Sequence, residues 1–135
     1  MSHNLFNNQF YKSNRERLKM LMEDDAIAVV FSNDLMPRNG DQYFPFRQNS
    51  DLLYLTGIDQ EETLLLLFPD SPLEQYREVL FIRKTDETIA TWEGDKYTKE
   101  EAGEISGINN IMWTESFDLV LNQVSTLSSK FYLNQ

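Results

Sequence analysis

The apolar positions fall into short runs separated by polar turns, and the spacing within each run predicts its element. From about Gln9 to Met22, Phe10, Leu18, Leu21 and Met22 recur at helical spacing, with Lys12, Arg15, Glu16 and Lys19 on the opposite side. This predicts an amphipathic helix, with Ser13 and Glu16 offering a rival start as a capping box. Ala26 to Phe31 is a continuous apolar run of strand length, as expected of a strand buried on both faces. Leu52 to Gly57, Thr63 to Phe68, Glu78 to Arg83 and Thr88 to Trp92 read as further strands. The turns at Pro69 to Pro72 and Lys84 to Glu87 suggest an antiparallel meander.

In the last third, Thr98 and Glu101 form a capping box that starts a helix, and Gly107 stops it. Asn109 to Trp113 reads as a strand. Thr114 is placed to cap a helix with Phe117, Val120, Leu121 and Val124 on one face, and Lys130 to Leu133 as a last strand. The expectation is a single α/β domain: a mixed sheet, meander first and then alternating strand and helix, with helices packed on it. Trp113 is read as packing, and the sequence contains no extended internal repeat.

Composition narrows the chemistry. With 135 residues, 41% of them hydrophobic, the chain suits one folded domain with one core. A net charge of -10 argues against a nucleic-acid surface, which needs clustered Lys and Arg. There is no cysteine, so disulfides and thiolate chemistry are excluded. The single histidine, His3, lies beside a terminus and is read as a bystander, leaving no metal-ligand set and no nucleophile motif. The acidic run Glu23 to Asp25 and the pairs Glu61–Glu62 and Glu100–Glu101 are read as solvated. Residues 1 to 20 lack the apolar run of a leader or membrane span, so cytoplasmic residence is the default expectation.

One stretch resists explanation by packing. Asp41 to Gly57 mixes aromatics with Arg47, Gln48, Asn49 and Asp51, and Pro45 favours an irregular loop ahead of the apolar run. Arg47 and Asp51 could satisfy loop backbone through a local network. Asn39-Gly40 is a turn dipeptide, and Asp41 follows it. Trp92, in Ala90-Thr-Trp-Glu-Gly94, could pack on a sheet face or be presented outward by the turn.

This stretch resembles the N-terminal domain of the aminopeptidase P family, the Xaa-Pro aminopeptidases. The likeness rests on Arg38, Asp41, Tyr43-Phe-Pro-Phe-Arg-Gln-Asn-Ser-Asp51, Tyr54-Leu-Thr-Gly57, and Trp92 with Gly94, and extends to Arg15, Arg17 and the Ala26 to Phe31 strand. The resemblance implies a creatinase/prolidase-like N-terminal fold and a chain of 135 residues that forms the first domain of a longer, two-domain protein. It implies a second, pita-bread domain that holds two divalent metal ions, usually manganese, with no cofactor in this chain. The implied reaction removes the N-terminal residue of peptides that have proline second, by a metal-bridged hydroxide. The implied partners are the chain's own catalytic domain, further copies in a homo-oligomer and proline-containing peptides. Trp92, Asp41 and Arg38 are the residues that the resemblance places at the substrate pocket, Trp92 reaching a neighbouring subunit's site. The sequence departs from the family pattern at Asp95-Lys96, where basic residues are common. Two rival expectations are a non-catalytic protein-binding module, as in peptidase-like domains of a histone chaperone, and a creatinase or prolidase N-terminal domain.

Overall fold

A computed structural model describes residues 8–32, 50–58, 60, 62–84, 97–128 and 130–133. The elements in chain order are α1 (Asn8–Leu21), β1 (Ala26–Phe31), α2 (Ser50–Thr56), β2 (Leu64–Leu67), β3 (Glu78–Ile82), α3 (Lys99–Ser106), β4 (Asn110–Trp113), α4 (Phe117–Ser125) and β5 (Lys130–Leu133). Short 3-10 turns at Glu74–Tyr76 and Thr114–Ser116 lead into β3 and α4. The strands form one five-stranded sheet in the order β4-β3-β2-β1-β5. β1, β2 and β3 are an antiparallel meander, whereas β4 joins β3 and β5 joins β1 in parallel. The mixed α/β architecture expected from the sequence is therefore present.

Both faces of the sheet are covered, which is why its inner strands are apolar at successive positions. One face presents Ala28, Val30, Leu65, Leu67, Leu80 and Ile82 to Leu52, Leu55 and Ile58 from α2 and its exit, and to Ala102 and Ile108 from α3 and its exit. The other presents Ile27, Val29, Leu64, Leu66, Val79 and Phe81 to Val120 and Val124 of α4. Phe81 meets Phe117 edge to face, with ring centroids 5.2 Å apart.

Three expectations are corrected. The run from Leu52 to Gly57 is helix and not strand. Leu52 and Leu55, three apart, are buried while Leu53 and Tyr54 are half exposed, so the core selects the helical period. The buried face of α1 is the expected one only in part, since Leu18 and Met22 pack against the core. Tyr11, Asn14 and Arg15 are buried, Phe10 is exposed at 38% and Leu21 at 82%. Ser13 lies within this helix and does not start it. Finally, the Thr114 hydroxyl does not cap α4. It donates to the Glu62 carbonyl, and α4 begins after a 3-10 turn without a side-chain cap. The Thr98–Glu101 capping box is formed in both directions, at 3.1 Å each way.

The inward turn of α1 follows from what lies beneath it. α2 and α3 end alike: Thr56 and Ser106 each donate a hydroxyl to the carbonyl four residues back, and each accepts the N–H of the isoleucine two residues on. Between each hydroxyl residue and isoleucine stands a glycine in the left-handed region, Gly57 (φ 76) or Gly107 (φ 79). α1 crosses directly over these two ends. A Cβ at Gly57 would come within 2.6 Å of the Tyr11 ring, and one at Gly107 within 2.7 Å of Lys12 Cε.

Arg15 joins the helix ends to the sheet. Its Nη1 donates to the Leu55 and Ser106 carbonyls, 2.8 Å each, near the negative ends of two helices. Its Nε donates to Glu78 Oε2 at 2.8 Å, and Lys19 Nζ lies 2.9 Å from the same oxygen. Asn14 adds a bond to the Tyr54 carbonyl at 2.8 Å. Burial alone would raise the Glu78 carboxyl, but hydrogen bonds and charge from Arg15 and Lys19 outweigh it, and the net shift is downward.

Arg15→Ala is expected to destabilise the chain by about 3–5 kcal/mol in denaturant melts, because Glu78 and two helix ends lose a buried partner. The pH dependence follows from the lowered Glu78 carboxyl. Its contribution is complete above the ordinary value of 4.5 and is lost as pH falls through the lower folded value. The stability gap between the natural chain and Glu78→Gln should accordingly be widest near neutrality and close in acid, as read from urea midpoints across that range.

Candidate functional site

Sheet direction divides the molecule into two ends. β1 and β3 both run antiparallel to β2, so they run the same way, and β4 and β5 follow them in parallel. The Arg15–Glu78 cluster sits at the amino end of β3. The opposite, carboxyl edge is where segments 33–49 and 85–96 leave the sheet, just after β1 and β3 respectively. One strand separates the two exits, which puts them roughly 10 Å apart at the usual strand spacing. Connections at the carboxyl ends of strands are the usual position for ligand sites in α/β sheets.

Of the residues singled out in the sequence, Arg38 and Asp41 fall in segment 33–49 and Trp92 in 85–96, so all three lie outside the described residues. The same holds for the strand expected at Thr88 to Trp92, for Arg47, and for His3. What the structure supplies is the frame from which those two segments start.

That frame is polar and closely bonded. The Ser32 N–H donates to the Thr63 carbonyl at 2.9 Å, and the Thr63 N–H donates to Ser32 Oγ at 3.1 Å, closing the edge between β1 and β2. Thr63 Oγ1 turns back to the Gln60 carbonyl at 2.8 Å. Gln60 Oε1 accepts the N–H of Tyr97, the first described residue after segment 85–96, at 3.0 Å. Glu62 occupies the left-handed region at φ 57, unusual for a residue with a side chain. Its carboxylate lies 3.8 Å from Arg83, and its carbonyl accepts the Thr114 hydroxyl. Lys99 stands 4.6 Å from the centre of the Trp113 ring, and that ring also packs against the core, the role expected for it.

No signal in the sequence pointed to residues 60–63 as organisers of this edge. Glu62 reads as solvated and Thr63 as the start of a strand, and only the pairing of β1 with β2 brings them between the two exits. The described acids at this edge do not converge. Among the described residues there is no group of three or more His, Asp or Glu that could hold a metal ion. No described helix is long and apolar enough to cross a membrane.

Comparison with known proteins identifies the frame. Residues 11–132 match the family described as aminopeptidase P, N-terminal domain, and the chain belongs to it. It is 30% identical over 114 residues to a Xaa-Pro aminopeptidase of Haemophilus influenzae, covering 84% of this chain and 26% of that protein. It is also 30% identical over 104 residues to the Xaa-Pro aminopeptidase of Escherichia coli, covering 77% of this chain and 23% of that one. Among solved structures, aminopeptidase P from Escherichia coli with the inhibitor Pro-Leu superposes with a TM-score of 0.75 at 27% identity, over 96% of this chain and 29% of that one. The chain thus spans about a quarter of the curated relatives it matches.

Proposed function

We propose that these 135 residues form the non-catalytic N-terminal domain of a longer, dinuclear-metal Xaa-Pro aminopeptidase. The parent would remove the first residue from peptides with proline second, in the cytoplasm, as a homo-oligomer. The observation that carries the reading is the family match over residues 11–132, joined to Xaa-Pro aminopeptidase relatives at 30% identity. The geometry supports the same division of labour. A sheet covered on both faces gives rigid support, and the two segments with Arg38, Asp41 and Trp92 start from one edge of it.

In this reading the domain lends Trp92, Asp41 and Arg38 to a substrate pocket, Trp92 to that of a neighbouring subunit, while chemistry belongs to a second domain. A flat indole face can cover a proline-containing peptide and exclude water at small entropic cost. The family resemblance assigns the two divalent ions, usually manganese, to the second domain.

The purified chain is expected to hold no stoichiometric manganese or zinc by elemental analysis and to leave Xaa-Pro peptides uncleaved. Stoichiometric metal would contradict the assignment. Trp92→Ala is expected to leave the stability of this chain nearly unchanged, yet to lower kcat/KM of the full-length enzyme by about 10- to 100-fold, or roughly 1.4 to 2.7 kcal/mol. A loss of about 3 to 5 kcal/mol in denaturant melts would mark Trp92 as a core residue instead.

A further inference from the structure

α1 is attached to the molecule differently from the other helices. Leu52 and Leu55 of α2 and Ala102 of α3 belong to one buried core, and Val120 and Val124 of α4 to the other, but α1 gives neither core a buried residue. Its Leu18 and Met22 pack only at the margin, and its buried Tyr11 lies against Gly57. Charge supplies the stronger hold. Arg15 Nε and Lys19 Nζ, one turn apart, converge on Glu78 Oε2 at 2.8 and 2.9 Å. Without that carboxylate Arg15 would be a buried cation left with the Leu55 and Ser106 carbonyls, an arrangement that costs far more than an exposed one. The Asn14 bond to the Tyr54 carbonyl is neutral and therefore weaker. Among the described residues, the charged groups acting on Glu78 are Arg15 and Lys19, both of α1. Glu16 shares Lys19 at 3.0 Å, β2 opposes Glu78 with Leu67, and α2 and α3 turn backbone carbonyls toward Arg15.

We propose that α1 is a charge-latched strap: once Glu78 no longer holds Arg15 and Lys19, it lifts off the α2 and α3 ends as a unit, while the sheet and its two cores stay folded. Acid is one trigger. The Glu78 carboxyl is lowered, so the latch is complete above the ordinary value of 4.5 and is lost as pH falls through the lower folded value. A helix of 14 residues is marginal on its own, so a lifted α1 also loses the protection of its amides. Amide hydrogen exchange of the purified chain, expressed as protection factors, separates α1 from β1, β2 and β3. In Glu78→Gln at neutral pH, α1 should lose at least about tenfold in protection, with the three strands remaining at least about 100-fold better protected than α1. The natural chain should approach the same pattern as pH is lowered through the Glu78 titration, and Glu78→Gln should show no such transition. Should Glu78→Gln fail to fold by circular dichroism, Lys19→Gln, which removes one of the two cations, is read the same way with a smaller loss in α1. Equal protection of α1 and the strands in the variant would mark a single cooperative unit and overturn the proposal. So would α1 protection unchanged from the natural chain.

Discussion

A guanidinium almost fully withdrawn from water holds the helical layer to the sheet. Arg15 is 1% exposed, and a buried cation of this kind is tolerated only where its donors are matched. Here the match comes from three directions at once: a carboxylate at the start of β3 and the last carbonyls of α2 and α3. The identical hydroxyl-glycine-isoleucine endings of those two helices follow from the same constraint. Each helix must stop within reach of Arg15, expose a carbonyl to it, and leave room for α1 overhead. Glycine supplies both the left-handed turn and the clearance.

That constraint places the buried Arg15–Glu78 pair at the amino edge of the sheet. The carboxyl edge is built differently, from side-chain bonds to backbone at Ser32, Gln60, Thr63 and Thr114, and the two segments that carry the proposed pocket residues Arg38, Asp41 and Trp92 depart from it. A domain organised this way can give its partner precisely placed groups without doing any chemistry itself. This is the separation of support from catalysis that we propose for the parent protein.

Much of the fold was legible in the sequence. Continuous apolar runs marked the inner strands because both faces of the sheet are covered, and the Thr98–Glu101 box with Gly107 marked α3 because local capping chemistry decides it. α2 was misread because seven residues, Ser50–Thr56, are too few for periodicity to separate a helix from a strand, and Gly57 can end either. The face of α1 was read only in part, Leu18 and Met22 but not Arg15, because an arginine on a helix ordinarily faces water. Nothing local to Arg15 reveals two helix ends that arrive 40 and 91 residues later. The repeated Thr-Gly-Ile and Ser-Gly-Ile endings are too short to register as a repeat, and they acquire meaning only when α1 lies across both. For the site, the resemblance named Arg38, Asp41 and Trp92, whereas the bond from Tyr97 to Gln60, 37 residues apart, is visible only in the folded chain.

The central claim is that this domain serves a pocket whose chemistry belongs to another domain, and in part to another subunit. It is tested most directly by subunit complementation in the full-length enzyme. A Trp92→Ala parent, with intact metals, is dissociated and reassembled with a parent inactivated in its metal domain but carrying Trp92. The account predicts that the mixed oligomers regain activity toward Xaa-Pro peptides, because Trp92 of the inactive subunits completes sites on their neighbours. Mixed oligomers no more active than the two parents apart would contradict it.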